Sequence, residues 1–255
     1  MSNFASYPSL EGRTVFVSGG GSGIGGSIVE HFAEQGSKVA FVDIDDAAST
    51  ALVEKIAAAG HPAPLYTRCD IRDLGAYQAV LADVGKKLGA ITVLINNAAR
   101  DDRHTIDTVT EDFWNERMAV NLRHAYFAIQ SVAPGMKAAG GGSIVNFSSI
   151  SYHTMTANLS VYQAAKAAVI GMTRGLARDL GADRIRLNAI TPGWIMTQRQ
   201  IDLWLTPEAG KAQMVAQCLK EKLYPPDIAR MALWLAADDS RLVTAQNFTV
   251  DGGRA

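Results

Sequence analysis

Cysteine is almost absent from this chain. Cys69 and Cys218 stand far apart and form no CxxC pair, so neither a disulfide framework nor a structural zinc site fits. A reducing compartment, the cytoplasm, is expected. None of the five histidines has metal-ligand spacing such as HExxH, so no metal is expected. An excess of one charge is missing too. The 24 Lys and Arg balance 25 Asp and Glu, which leaves no electrostatic footprint for nucleic acid or an anionic membrane. No apolar run approaches the roughly 18 residues that a membrane helix needs. Met1 to Leu10 carry no basic stretch followed by an apolar one, so no leader is expected. Charged residues are scarce at 19% against 48% hydrophobic, the reverse of a disordered chain. What remains is small-molecule chemistry on one large α/β domain or two small ones.

Short apolar runs alternate with helical patterns from end to end. Thr14–Ser18 reads as a buried strand, and Ile24, Ile28 and Phe32 mark one face of a helix closed by Gly36. Lys38–Asp43 is a second strand. A helix from Asp46 stops at Gly60, and a third strand ends at Cys69-Asp70. A helix carrying Leu74, Tyr77, Leu81, Val84 and Leu88 precedes a fourth strand, Ile91–Asn96. A long helix from Thr110 to Lys137 leads to strand Gly142–Phe147. A helix through Tyr162 and Leu180 then leads to strand Ile185–Ile190. A helix over Ile228–Ala236 and strand Asn247–Val250 end the series. Near-continuous apolar strands alternating with amphipathic helices predict an α/β fold, a doubly wound parallel sheet with helices on both faces. No linker or repeat breaks it, so residues 1–255 read as a single domain. The irregular stretch 197–226 is the natural place for a substrate-covering insert.

Ser18-Gly-Gly-Gly-Ser-Gly-Ile-Gly25 follows the first strand and feeds a helix, where backbone N–H groups can approach a pyrophosphate. The loop is so rich in glycine that Gly21, Gly23 and Gly26 compete with Gly19, Gly23 and Gly25 as the binding set, and a tight structural turn would need glycine as well. Asp43 ends the second strand 18 residues beyond Gly25, near the spacing for a carboxylate that binds the adenosine ribose. It would repel a 2′-phosphate, which favours NAD over NADP; a helix-capping acid is its plainer use.

Tyr162 and Lys166 fall at i and i+4 on one helix face. A phenol titrates near 10 in water, too high for a general base, and a nearby ammonium favours the phenolate. Ser149, at the end of the fifth strand, precedes Tyr162 by 13 residues, and Asn96-Asn97 ends the fourth strand at the same edge. Asn121 lies mid-helix, where a helix–helix hydrogen bond is an equal explanation.

Together these residues resemble the short-chain dehydrogenase/reductase family, with its motifs in order from Thr14 to Gly253. The family's TGxxxGxG appears with Ser18 for Thr, then Gly19, Gly23 and Gly25; NNAG appears as Asn96-Asn97-Ala98-Ala99. The resemblance implies a Rossmann fold and the catalytic tetrad Asn121, Ser149, Tyr162 and Lys166. It implies cofactor contacts from Gly19, Ser22, Gly23, Ile24, Gly25, Asp43, Asp70, Ile71, Asn97, Tyr162, Lys166, Pro192, Gly193, Ile195 and Thr197. In the implied chemistry Tyr162, as phenolate, takes the hydroxyl proton while hydride passes to NAD. Ser149 bonds the substrate oxygen, Lys166 holds the ribose and depresses the tyrosine pKa, and Asn121 anchors a relaying water. A homotetramer is implied as well, built on helices whose apolar faces include Ala125, Ile129 and Val132, and Val169, Met172 and Leu176.

For the substrate, polar candidates cluster near the site: Arg100 to His104, Ser151, His153, Asn158 and Gln198. Ser149, Ser151, Asn158, Tyr162 and Gln198 are the expected substrate contacts, and such a lining suits a polyhydroxylated molecule better than a steroid. Asp101–His104, Val120–His124, Ala133–Lys137 and Gln217–Lys220 look like segments of bacterial NAD-dependent D-xylose 1-dehydrogenases and related aldose dehydrogenases. That likeness implies oxidation of an aldose (xylose, arabinose, galactose or fucose type) at C1 to the aldonolactone. The alternatives are an oxidoreductase for a polyol, secondary alcohol or 3-oxoacyl substrate, or a non-catalytic NAD-sensing protein.

Overall fold

In the computed structural model, which describes residues 4–255, the apolar runs pair side by side as one parallel sheet; Met1 to Asn3, the start of the segment read as leader-free, lie outside the described residues. The strands are β1 (Thr14–Ser18), β2 (Lys38–Asp43), β3 (Leu65–Arg68), β4 (Val93–Asn96), β5 (Gly142–Phe147), β6 (Ile185–Pro192) and β7 (Asn247–Val250), in spatial order 3-2-1-4-5-6-7. Between them run α1 (Gly23–Glu34), α2 (Asp46–Ala58), α3 (Leu74–Leu88), α4 (Glu111–Met118), α5 (His124–Ala138), α6 (Ser160–Leu180), α7 (Gln198–Trp204), α8 (Pro207–Ala216) and α9 (Pro225–Ala236).

Successive strand side chains leave on opposite faces, and both faces are dry. Val15, Val17, Phe41, Ile95 and Val145 point into a core closed by α1 and α9. Phe16, Ala40, Leu94 and Ile144 point into a second one, under α3, α5 and α6. The polar edge left to the sheet is therefore the line of strand ends. The order turns round at the β1–β4 pair, where Ser18 stands beside Asn96, so the loops leaving these strands diverge and open a crevice.

Three elements depart from the sequence pattern. The long helix expected over 110–137 is α4 and α5 joined by a π-helical turn, Ala119–Arg123. Its widened turn carries Asn121, whose side chain bonds both backbone groups of Arg100. The irregular 197–226 stretch holds α7 and α8, each started by a threonine: Thr197 Oγ1 accepts from Gln200 N and Thr206 Oγ1 from Ala209 N, with Pro207 opening α8. The third strand stops at Arg68, short of Cys69-Asp70, because Asp70 turns out to pair with Arg72. Ala125, Ile129, Val132 and Val169, read as helix-pairing faces between subunits, are buried in this chain's own core. No helix among the described residues is long and apolar enough to cross a membrane.

Phe32, fully buried where α1 meets α9, is the plug of the first core. Phe32→Ala should cost about 3–5 kcal/mol, read as a lowered urea midpoint with an unchanged slope.

Candidate active site

The glycine loop has a steric reason for each residue of one motif. Gly19 adopts φ +66°, and its N–H and that of Gly20 bond the Val42 carbonyl. A Cβ on Gly25 would sit 1.9 Å from the Gly19 carbonyl oxygen, so α1 presses directly on the turn. A Cβ on Gly26 would meet nothing nearer than 3.6 Å. Gly26 of the rival set is thus sterically free, although a Cβ on Gly21 would meet Ser49 Oγ at 2.5 Å; Gly19 and Gly25 are the pair locked together by the turn. Gly23, at φ +56°, starts α1, where a Cβ would press on Thr197 at 3.2 Å. Ser18, in the threonine position, accepts from Asn97 N and Ala98 N, while Asn97 Nδ2 donates to the Ser18 and Gly19 carbonyls. The β4 loop is thereby stitched to the glycine turn. Asp43 is held by three backbone donors: Gly21 N on Oδ2, and Ile44 N and Asp45 N on Oδ1. A cradle free of Cβ atoms at a helix N-terminus, with a fixed carboxylate beyond it, fits a dinucleotide.

A cavity of about 740 Å³ runs along this edge. Gly19, Ser22, Ile24, Gly25, Asp43, Asp70, Ile71 and Asn97 line one part of it. Ser149, Ser151, Tyr162, Lys166, Pro192, Gly193, Ile195 and Thr197 line another. Asn158 and Gln198, two of the expected substrate contacts, are not among its walls. Asn158 is exposed in a left-handed turn (φ +61°) whose carbonyl receives His104 N, and Gln198 lies on the outer side of α7, donating to Asp202. Asn121 is buried one layer behind, tied to Arg100. In their place the structure brings Asp101, Arg103, Trp194, Arg199, Gln200 and Trp204 to the cavity. Arg199 and Gln200 had a legible signal: they follow the Thr197 cap by two and three residues, which turns them inward. His153, half of a stacked pair with Tyr152, is exposed.

Ser149, Tyr162 and Lys166 meet at the carboxyl end of β5. Lys166 Nζ donates to the Phe147 carbonyl at 2.8 Å and lies 5.6 Å from the centre of the Tyr162 ring. Burial governs both groups. It pushes the Lys166 ammonium down to about 7 and lifts the Tyr162 phenol above its ordinary value. For Tyr162, Asp101 opposes ionisation further, while a Ser149 hydrogen bond and the charge of Arg103 favour it. In the chain alone, burial and then Asp101 favour the protonated phenol.

Beside the π-helical turn lies a group that sequence reading passed over. His124 is 2% exposed, and neither ring nitrogen has a hydrogen-bond partner among the described residues. Burial first, then the Lys166 charge, drives its pKa to about 3. A histidine inside an apolar helix face was the available signal.

Two outcomes follow from these geometries. Gly25→Ala should weaken dinucleotide binding at least about tenfold in a titration of reduced-nicotinamide fluorescence, because the turn must move. Gly26→Ala, free of clashes and in a helix, should bind normally and gain up to about 1 kcal/mol of stability. For His124, the unfolded chain takes up a proton near pH 6.5 that the folded chain refuses until about pH 3. Stability is thus lost as pH falls through that window. His124→Gln should flatten the acid limb by at most about 1.4 kcal/mol per pH unit, measured as urea midpoints between pH 4 and 7.

The sequence model of the enoyl-(acyl carrier protein) reductase family matches residues 19–255. The chain is 49% identical over 247 residues to the probable galactose dehydrogenase GalD of Rhizobium meliloti, spanning 97% of this chain and 96% of that protein. It is 48% identical over 250 residues to the D-xylose 1-dehydrogenase of Caulobacter vibrioides, spanning 98% of each. Among solved structures, a 7α-hydroxysteroid dehydrogenase complexed with NADH and 7-oxo glycochenodeoxycholic acid superposes with a TM-score of 0.92 at 30% identity. That match covers 98% of this chain and 96% of the other. Near full-length identity at this level, with a matching family model and a closely superposing fold, leaves one assignment: the chain belongs to the short-chain dehydrogenase/reductase family and is an oxidoreductase built for a nicotinamide cofactor.

Proposed function

We propose that this protein is an NAD-dependent aldose 1-dehydrogenase that oxidises a pentose or hexose of the D-xylose, L-arabinose, D-galactose or L-fucose type at C1 to the aldonolactone. The observation that carries this reading is 48–49% identity, over at least 97% of the chain, to two proteins named for aldose oxidation. The polar walls of the cavity support it, since Asp101, Arg103, Ser151 and Gln200 would be left badly solvated by an apolar substrate. The preference for NAD rests on Asp43, whose carboxylate three backbone donors hold in place. It rests as well on the lack of any Lys or Arg between Ser18 and Gln35 to receive a 2′-phosphate.

When bound, oxidised nicotinamide would accept the hydride and add its positive charge to the site. In the proposed roles, Ser149 Oγ donates a hydrogen bond to the substrate oxygen, and Tyr162 Oη takes its proton. Lys166 favours the phenolate in proportion to its own charge, and with a pKa lowered to about 7 by burial it is itself close to giving up a proton. Asn121 grips Arg100 with one acceptor and one donor position of its amide, and in the proposed roles this residue seats the relay water. Residues 197–226, with α7 and α8, act as the cover over the substrate half of the cavity.

The same reading includes a homotetramer in the cytoplasm. An apolar groove of about 350 Å³ between α5 and α6, lined by Tyr126, Ile129, Ala133, Pro134, Leu176 and Leu180, supports self-association there. Two free cysteines suit a reducing compartment.

Purified protein should reduce NAD with at least one aldose, at least about tenfold better than NADP, when challenged with pentoses, hexoses, polyols, secondary alcohols and 3-oxoacyl substrates. Tyr162→Phe should lower turnover by about 10²–10⁴-fold. Activity confined to polyols, secondary alcohols or 3-oxoacyl substrates would remove the aldose assignment. A Tyr162→Phe enzyme that keeps normal turnover would remove the proposed base.

A further inference from the structure

A carboxylate stands where the chemistry would be easier without it. Asp101 lies on the loop after β4, immediately after Arg100, whose N–H and C=O are both bound by Asn121. That clamp sets the direction of the next side chain, and Asp101 lines the cavity. It is the charged neighbour that most disfavours ionisation of Tyr162. A negative charge beside a group that must become negative slows catalysis unless it has another use.

Ion pairing within the protein is a weak explanation. Arg199, reaching over from α7, lies 3.1 Å from Asp102 but 3.5 Å from Asp101. Asp102 also holds Arg100 and the buried Arg117, so it is the structural acid of the pair. Asp101 keeps one good partner, Gln200 Nε2 at 2.9 Å, and Gln200 in turn receives Trp194 Nε1 at 2.9 Å. A carboxylate has about four acceptor positions. Most of those on Asp101 remain for something in the cavity.

Two further walls of the same cavity point the same way. Ser151 is 7% exposed and its Oγ has no hydrogen-bond partner, and Trp204 Nε1 is likewise buried and unpartnered among the described residues. The indole is held by Arg103, whose guanidinium lies 4.7 Å from the ring centre. A buried hydroxyl and a buried N–H without partners are costly until a ligand supplies them. An acceptor, a donor and a hydroxyl in one cavity match a molecule bearing several hydroxyls.

We propose that Asp101 is a specificity-determining residue: it accepts hydrogen bonds from ring hydroxyls of the aldose other than the one oxidised, with Trp204 Nε1 and Ser151 Oγ completing the set. This rests on the aldose reading above and adds to it the residues that distinguish a sugar from a simple alcohol. Hydroxyls bonded to Asp101 spread its charge, which eases formation of the Tyr162 phenolate. An alcohol lacking them leaves the carboxylate desolvated and the phenol harder to ionise, so it is rejected in both binding and turnover. The charged groups around Tyr162 are Asp101 and Arg103 from the β4 loop, Lys166 from its own helix and Arg199 from α7.

The test is a cycle between enzyme variants and substrate analogues at saturating NAD. The best aldose and its 2-, 3- and 4-deoxy derivatives are compared on wild type, Asp101→Asn, Asp101→Glu and Trp204→Phe. At least one deoxy sugar should lose about 10- to 100-fold in kcat/KM on the wild type, and Asp101→Asn should lose a similar factor on the parent sugar. Combining the two should bring little further loss, because both remove the same hydrogen bond. The acid limb of the kcat pH profile, where the Tyr162 phenol must lose its proton, should move to lower pH in Asp101→Asn and stay in place in Asp101→Glu, which keeps the charge. Trp204→Phe retains the ring over Arg103, and it should be insensitive to the loss of one particular hydroxyl. Additive losses for every deoxy sugar, or an unshifted pH profile in Asp101→Asn, would show Asp101 to be only a latch for Gln200 and overturn the proposal. If Asp101→Asn does not fold, a wild type indifferent to all three deoxy sugars overturns it equally. A wild type that oxidises no aldose fails before any variant is made, which identifies the aldose reading itself as the error.

Discussion

The parallel ladder between β1 and β4 is the constraint on which the rest of the molecule depends. It joins two halves of a sheet whose crossovers run in opposite directions, so the chain must leave Ser18 and Asn96 by diverging loops. Both sheet faces are packed mainly with apolar side chains, and buried polar ones such as Ser143, Asn146 and Asn188 are hydrogen-bonded in place, so polar chemistry collects at the strand ends. Asn97 then stitches the two loops together through Ser18 and Gly19. The cofactor cradle and the substrate loop therefore cannot move independently near their roots.

Burial at that edge decides the electrostatics. Tyr162, Lys166 and His124 lie within one poorly solvated region, and in each the neutral form is favoured over the charged one. A phenol and an amine poised in this way do little in the chain alone. A cation arriving at the site changes both equilibria, because in a medium with little water to screen it, added charge acts strongly on neighbours.

Recognition is organised from the opposite side. The π-helical turn holds Asn121 so that it grips Arg100, and two acids follow with different tasks. Asp102 gathers Arg100, Arg117 and Arg199 into a network that ties α4, the β4 loop and α7 together. Asp101 takes only Gln200 as a close partner and faces the cavity. Both acids reach Arg199, but Asp102 is also taken up by Arg100 and Arg117, whereas Asp101 keeps acceptor positions toward the cavity.

Much of this was legible in the residues alone. The apolar runs located the inner strands, such as β1, β4 and β5, since a strand buried on both faces needs an unbroken apolar stretch whatever its neighbours are. Gly19 to Gly25, Asp43, Ser149, Tyr162 and Lys166 stood out because their spacing is set locally, by one turn of helix or one strand end. The sequence by itself thereby determined the sheet, the cofactor cradle and the group of residues at its edge. Tertiary structure decided the rest. It chose Gly25 over Gly26 through the position of one carbonyl oxygen, and broke a continuous helical pattern at Asn121 to reach Arg100. It turned Asn158 and Gln198 outward and brought Arg199, Gln200 and Trp204 in from α7. It also made burial the largest influence on Tyr162 in the chain alone, because desolvation depends on everything packed around a group, whereas a charge four residues away is a property of the helix alone.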